Sequence, residues 1–329
     1  MKILGMGNAL VDIMTQLHDD SILLRFKFPK GSMTLVDSEM SSYLYNETIG
    51  LSKRKASGGS AANTIHGLSR LGIETSFIGK IGDDDLGRFF KKDMKLSGIN
   101  TILFNSVTET GRVVAMVSPD SERTMATYLG AAVELDPQDL SADIFKGYDF
   151  FYIEGYLVQN RELIEKALRL AKHTGLKTCI DLASFNVVLE NIEFLKELIS
   201  EYVDIVFANE DEAKALTGKA PEEAVNDISE LCQIAVVKLG SRGSLIKVGE
   251  TTTMVPARQS NCIDTTGAGD LYAAGFLYAI GKGYSLTVAG EIGGILAARV
   301  IEFIGAKMEE STWETLRREI HAIELKQSV

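Results

Sequence analysis

The chain has 329 residues, 45% of them hydrophobic and 24% charged, so it can bury a sizeable core in a large α/β domain with additions. A formal net charge of −11 argues against a nucleic-acid-binding surface, although an acidic protein can still carry a local positive site for a small anion. No run approaches the roughly 20 apolar residues that a membrane-spanning helix requires.

Ile3 to Asn8 reads as a strand ending in a glycine turn, with Ala9-Leu10-Val11-Asp12 after it. A dinucleotide fingerprint needs G-x-G-x-x-G here, and Leu10 stands where the third glycine belongs, which counts against a dinucleotide-dependent oxidoreductase. Asn8 and Asp12 then either grip hydroxyl groups at the carboxyl end of the first strand or serve turn and cap chemistry. Residues 13–55 do not continue a β-α alternation, although Ser32 to Val36 reads as a strand. Ala56 to Ser60 reads as a flexible entry to a helix over Ala61–Leu71, whose Ile65, Leu68 and Leu71 share a face before the stop at Gly72. Gly58 and Gly59 allow close approach of a ligand, and Ser60 and Asn63 lie one turn apart on a common face. Ser60 has the alternative of serving only as an N-cap.

Thr75 to Gly79 is the next strand. Asp83-Asp84-Asp85 superficially suggests a metal cluster but reads as a helix start, since Leu86, Phe89, Phe90 and Met94 follow as an apolar stripe. Residues 101–129 turn β-rich, in Ile102–Phe104, Arg112–Val117 and Arg123–Leu129. Together with residues 13–55 they predict a small sheet built from two insertions and standing as a lid over a single domain of residues 1–329. Arg123 on that lid either reaches a phosphate or is an ordinary solvated arginine.

From Tyr148 the alternation is regular, with strands expected at Asp149–Ile153, Lys177–Ile180, Ile205–Ala208 and Ile234–Lys238. That order implies a parallel sheet with helices on both faces. Asn209 and Glu212 share a face at the start of a helix, where they either hold a hydrated Mg²⁺ or cap the helix. Lys238 to Gly243 is a tight connection suited to a nucleotide lying against backbone. Asp264-Thr265-Thr266-Gly267-Ala268-Gly269-Asp270 then runs into the apolar, helical Leu271–Tyr278. Its glycines let helix-terminal N–H groups converge on an anion, and Asp270 puts a carboxylate beside them. An anion cradle with an adjacent base suits phosphoryl transfer, and a capped helix is the plainer alternative.

Four of these segments, in this order, resemble the ribokinase (PfkB-type carbohydrate and nucleoside kinase) family over nearly the whole chain. Gly58-Gly59-Ser60-Ala61-Ala62-Asn63 looks like its N-terminal signature, and Phe77 to Asp84 like the stretch that follows. Asn209 to Glu212 is similar to its N-x-x-E motif, and Asp264 to Asp270 matches its C-terminal signature. The resemblance implies a Rossmann-like α/β fold with a β lid and ATP-dependent phosphorylation of a primary hydroxyl. It would make Asp270 the base, with the amides of Gly267, Ala268 and Gly269 as the anion hole. Asn209 and Glu212 would organise Mg²⁺, while Asn8, Asp12, Gly58, Gly59, Ser60, Asn63 and Arg123 would face the acceptor. Lys238, Gly240, Gly243 and Thr266 would line the ATP site. A monovalent cation such as K⁺ would lie near Asp264 and Gly305-Ala306.

Two departures touch the ATP pocket: Gly294 stands where many relatives have Asn, and Lys238 where Thr is more usual. Gly7 to Ile13 and Arg123 to Leu129 look more like adenosine-kinase-type members, which favours a nucleoside acceptor such as adenosine over a simple sugar. A relative that binds ligand without catalysis is the other rival, against which Asp270, Asn209 and Glu212 all speak. No G-x-x-x-x-G-K-[ST] of a Walker-type kinase occurs.

An Asp at its ordinary pKa of about 3.9 is a weak base, which a loose transition state tolerates. Cys179, Cys232 and Cys262 fit neither a disulfide framework nor a zinc site and read as buried reduced thiols. With Met1–Gly5 reading as a core strand rather than a signal peptide, a cytoplasmic protein is expected, acting on a small molecule, with no nucleic-acid or membrane partner. An exposed edge of the lid sheet would allow a homodimer.

Overall fold

The computed structural model describes residues 1–120 and 122–327. In chain order its strands are β1 (Lys2–Met6), β2 (Leu10–Gln16), β3 (Met33–Leu35), β4 (Lys53–Gly58), β5 (Glu74–Gly82), β6 (Ile99–Ser106), β7 (Thr110–Val117), β8 (Arg123–Gly130), β9 (Phe150–Glu154), β10 (Lys177–Asp181), β11 (Ile205–Asn209), β12 (Ile234–Lys238), β13 (Ser244–Val248) and β14 (Thr251–Val255). Nine of them form a central sheet in the order β14-β13-β12-β11-β10-β9-β1-β5-β6. Strands β12 through β6 in that order run parallel, and β13 pairs antiparallel with both β12 and β14.

The central strands are short apolar runs because both of their faces are covered. Tyr152, Phe207 and Val236 point into one core, packed by the helices Ala268–Gly281 and Leu286–Val300. Phe151, Ile153, Val206 and Val237 point the other way, onto the helices Arg161–His173 and Ile192–Tyr202. This is the expected Rossmann-like α/β architecture, with helices on both faces of a mostly parallel sheet.

The other five strands form a small mixed sheet in the order β3-β8-β7-β2-β4. One face packs Val114, Met116 and Ala126 beneath the helices Ser21–Phe26 and Ser38–Glu47, which add Leu23 and Leu44 to the same cluster. The opposite face carries a separate apolar cluster of Leu10, Val113, Ala115 and Ala132.

Three local expectations are corrected here. Ala56–Ser60 is not a flexible entry: Lys53–Gly58 pairs antiparallel with β2, opposing Gly58 to Leu10. The segment Leu10–Gln16 that follows the first glycine turn is a strand of the small sheet. Ile102–Phe104 belongs to β6, which pairs with β5 at the edge of the large sheet, so the small sheet takes its second contribution from Thr110 onward. A half-exposed strand looks the same locally in either sheet, and only the pairing partner decides.

Asp84 is the N-cap of the helix Asp85–Leu96, accepting from the Gly87 amide at 2.7 Å, so the acidic triplet is a helix start. It also accepts from the Thr110 hydroxyl at 2.7 Å, tying that helix to the small sheet. Cys179 is buried, but Cys232 is only half-buried and Cys262 is exposed, which corrects the expectation of three buried thiols. Among the described residues no helix is long and apolar enough to cross a membrane.

Candidate active site

Four adjacent parallel strands end on polar residues: β9 on Glu154, β10 on Asp181, β11 on Asn209 and β12 on Lys238. Pairing sets Asp181 opposite Glu154 and Lys238 opposite Asn209. The carboxyl ends of parallel strands open onto the crevice where α/β folds bind ligands, so this row forms one wall of the site. Asn209 and Lys238 were anticipated, whereas Glu154 and Asp181 were not. Both carry a readable signal, a carboxylate that closes an apolar run.

The Ala268–Gly281 helix is apolar on every side and buried from Leu271 to Ala279, which fixes its start rigidly in the core. Gly267 turns the chain into it with φ 76°, a left-handed value that favours glycine. Ala268 and Gly269 line the crevice, with the Ala268 amide donating to the Thr265 carbonyl at 3.2 Å, and Asp270 follows. Its Oδ1 accepts from the Ser60 hydroxyl at 2.7 Å and its Oδ2 from the Asn63 amide at 2.9 Å. Thr64 donates to the Asp270 carbonyl at 3.1 Å. Two segments over 200 residues apart are thus locked together at the carboxylate.

Ser60 is free for this contact because the N-cap of the Ser60–Arg70 helix is Gly59, not Ser60. Gly59 has φ 100°, and a Cβ there would lie 2.1 Å from the Asn8 carbonyl oxygen. Glu154, with no solvent exposure, supplies the missing acceptor for the helix end. Its Oε2 accepts from the Ala61 amide at 2.8 Å, and its Oε1 from the Asn8 amide and side chain at 2.9 and 2.8 Å. The side-chain oxygens of Asn8 and Asn63 are buried without a hydrogen-bond partner, so two acceptors are left for ligand hydroxyl groups. Gly58 does not line the crevice; it backs Asp12, whose carboxyl would lie 2.5 Å from a Cβ at that position.

The site concentrates charge. Burial pushes the Asp270 carboxyl up to about 6 against the pull of its hydrogen bonds from Asn63 and Ser60, so it is a stronger base than an ordinary aspartate. Asp12 is likewise raised by burial to about 6, opposed by Arg123 and Lys307. Glu154 and Glu212 rise to about 7, again by burial. Lys238 bonds Asp181 at 2.6 Å. Burial works against its ammonium, but Asp181 and Glu212 outweigh that and raise its pKa. A methyl group added to Gly269 would stand 3.0 Å from the lysine nitrogen, which places that cation beside the helix-start amides.

Asn209 and Glu212 adopt the capping geometry. Asn209 Oδ1 accepts from the Glu212 amide at 2.8 Å, and Glu212 accepts from the Asn209 backbone and side chain at 2.8 Å each. Both still face the crevice, near Asp181, and this oxygen-rich trio suits a hydrated Mg²⁺, which keeps much of its water shell. Arg123 is not a free arginine on a surface. It pairs with Asp264 at 3.2 Å and also bonds the Thr266 hydroxyl.

These residues surround a cavity of about 1520 Å³ that includes Asn8, Asp12, Gly59, Ser60, Asn63, Arg123, Asn209, Glu212, Thr266 and Asp270. Its roof is the apolar face of the small sheet, with Leu10, Val113, Ala115, Met125, Leu129 and Ala132. A second cavity of about 970 Å³ runs beside Gly243, Ser244, Val255, Tyr272 and Gly294. Gly294 has open space around it, so no side chain there meets a ligand. The two cavities share Lys238, Gly240, Thr265, Ala268 and Gly269, and so meet at the helix start. Gly267 lines neither, its role being the turn itself.

Two ligand spaces joined at a helix N-terminus, with a raised carboxylate beside it, are the geometry that a phosphotransferase needs. Residues 43–312 match the pfkB family of carbohydrate kinases. The chain is 31% identical to a 5-dehydro-2-deoxygluconokinase of Geobacillus thermodenitrificans over 74% of this chain and 78% of that protein. It is 30% identical to an aminoimidazole riboside kinase of Salmonella typhimurium over 77% of this chain and 79% of that one. The crystal structure of adenosine kinase from Sinorhizobium meliloti superimposes with a TM-score of 0.87 at 35% identity, covering 97% of this chain and 99% of that one. The chain belongs to the pfkB carbohydrate kinase family and is an ATP-dependent sugar or nucleoside kinase.

Proposed function

We propose that the enzyme transfers the γ-phosphoryl group of ATP to a hydroxymethyl group of a nucleoside such as adenosine. The observation that carries this reading is Asp270, held by Ser60 and Asn63 at the seam where the two cavities meet. The acceptor would lie in the larger cavity with its hydroxyls on Asn8, Asp12 and Asn63, so that its hydroxymethyl group meets Asp270. The polar floor suits a ribose, and the roof of Leu10, Val113, Ala115, Met125 and Leu129 suits a flat apolar base. ATP would occupy the second cavity, against Gly240, Gly243 and Thr265, with its γ-phosphoryl group at the shared helix start, by Ala268 and Gly269 and beside Lys238.

Asp270 would take the hydroxyl proton as the acceptor oxygen attacks phosphorus in line and ADP leaves. Mg²⁺ would supply charge neutralisation, and Asn209, Glu212 and Asp181 would hold its water shell. Most of the acceleration would come from positioning and from fixed charge. In this reading residues 1–329 are one domain and the small sheet is a lid that excludes water. A homodimer through the lid would use the β3 edge, because the β4 edge carries Lys53, Arg54 and Lys55, charges that resist pairing. A chemistry that uses ATP and a free metabolite supports a cytoplasmic location.

A sugar acceptor is the second reading, favoured by the sugar-kinase relative at 31% identity. Coupled ADP release over a panel of nucleosides and sugars discriminates them, since adenosine should give the highest kcat/KM. A sugar turned over more efficiently than any nucleoside would replace the nucleoside reading. Asp270→Asn should lower turnover by roughly a thousandfold or more while the melting temperature stays close to wild type. Near-normal turnover in that variant would remove Asp270 from the chemistry.

A further inference from the structure

Members of the family that this chain resembles often carry a monovalent cation, and the implied position here is Asp264 with the Gly305-Ala306 segment. The donors around Asp264 do not leave room for one. Its Oδ1 accepts from the Thr266 amide at 3.0 Å and from the Thr266 hydroxyl at 2.7 Å. Its Oδ2 accepts from the Gly305 amide at 2.7 Å and meets the Arg123 guanidinium at 3.2 Å. Two oxygens thus face four donors, about the number of acceptor positions a carboxylate offers. The Arg123 and Asp264 side chains are only 8% and 9% exposed, so the pair is weakly screened by solvent.

We propose that this kinase needs no monovalent cation at Asp264, because the Arg123 guanidinium, delivered by β8 of the small sheet, supplies that positive charge. A second cation beside a buried guanidinium would be repelled by it while finding no vacant carboxylate position. Arg123 also bonds the Thr266 hydroxyl, which in turn bonds Asp264. The turn leading into Gly267, Ala268 and Gly269 is therefore shaped around an ion pair whose cationic half comes from the small sheet. Arg123 is then a positioning residue for the anion-binding amides rather than a group that touches phosphate. The inference rests on Thr266–Asp270 being the phosphoryl-binding segment, and its charge logic can be read without turnover.

The test compares KCl with tetramethylammonium chloride at equal ionic strength. Wild-type melting temperature should agree within about 1 °C between the two salts, and wild-type turnover within about twofold. Arg123→Ala should lose about tenfold or more in turnover, and both its turnover and its melting temperature should recover in KCl or guanidinium chloride at millimolar levels. Arg123→Gln serves the same comparison if the alanine variant does not fold. A wild-type protein that melts several degrees higher in KCl, or turns over about fivefold faster, would overturn the proposal. So would a folded Arg123 variant that neither cation restores. A protein inactive on every acceptor, with melting temperatures as expected, would count against the proposed function and leave the charge substitution standing.

Discussion

Asp270 shows how a residue's chemistry depends on where its carboxylate is placed. As a helix-start aspartate in water it would be ionised and feebly basic, but burial raises it to about 6. Only the ionised form can accept the hydroxyl proton, so kcat should fall about tenfold per pH unit below about 6 and level off above it. Asp12, also raised to about 6, should add a second ionisation to kcat/KM, where the free enzyme is read. A kcat profile flat down to pH about 4.5 would mean that Asp270 is not the group whose ionisation limits turnover. The Lys238 cation beside Gly269 is a second case. Its type suggested only a nucleotide groove, whereas the salt bridge to Asp181 aims it at the place where the phosphoryl group would sit.

Among the elements, the Ser60–Arg70 helix does not cap its own beginning. Its cap, Gly59, has no side chain, and the Ala61 amide is satisfied instead by Glu154 from the end of β9. The same carboxylate holds the backbone and side chain of Asn8 after β1, so Glu154 joins two candidate acceptor-binding segments. Glu154→Ala would orphan three N–H groups. At about 1–3 kcal/mol for each buried group left unpaired, the protein should lose several kcal/mol, measurable as a lower urea midpoint. Because Asn8 would lose its anchor while Asp270 kept Ser60 and Asn63, KM for the acceptor should rise by a larger factor than kcat falls. Equal loss in both, at unchanged stability, would place Glu154 in the chemical step instead.

For the molecule as a whole, the buried carboxyls set the pH dependence of stability. Asp12 and Asp270 move from 3.8 to about 6, and Glu154 and Glu212 from 4.5 to about 7. Between the two sets of values the folded state binds more protons than the unfolded one, so stability falls as pH rises through that window. His66, held well below 6.5 by burial, acts in the opposite direction, but as one group against four. Asp84 and Asp93, both lowered despite burial, reverse the trend only when pH drops below 3.8. Calorimetry should therefore find a higher melting temperature near pH 5.5 than near pH 8, opposite in sense to activity. Stability that instead rose from pH 5.5 to 8 would show that these carboxyls are not buried as described.

Short apolar runs identified β9 to β12, and glycine spacing identified the turn at Gly267, because strand periodicity and positive φ are local properties that residue types report directly. Motif order was likewise written in the chain and was enough to point to the kinase family. The sheet that would receive β6, the strand character of Lys53–Gly58, and the partners of Arg123 and Lys238 were not local. Each depends on which distant segment comes to lie alongside, and a carboxylate's strength depends on how much water that packing removes. Residue types and their spacing pointed to the groups suited to binding an anion and taking a proton. The tertiary structure alone decided that Ser60, Asn63 and Asp270 meet, that Glu154 braces them, and that Arg123 occupies Asp264, since desolvation and pairing over such separations exist only once the chain is folded.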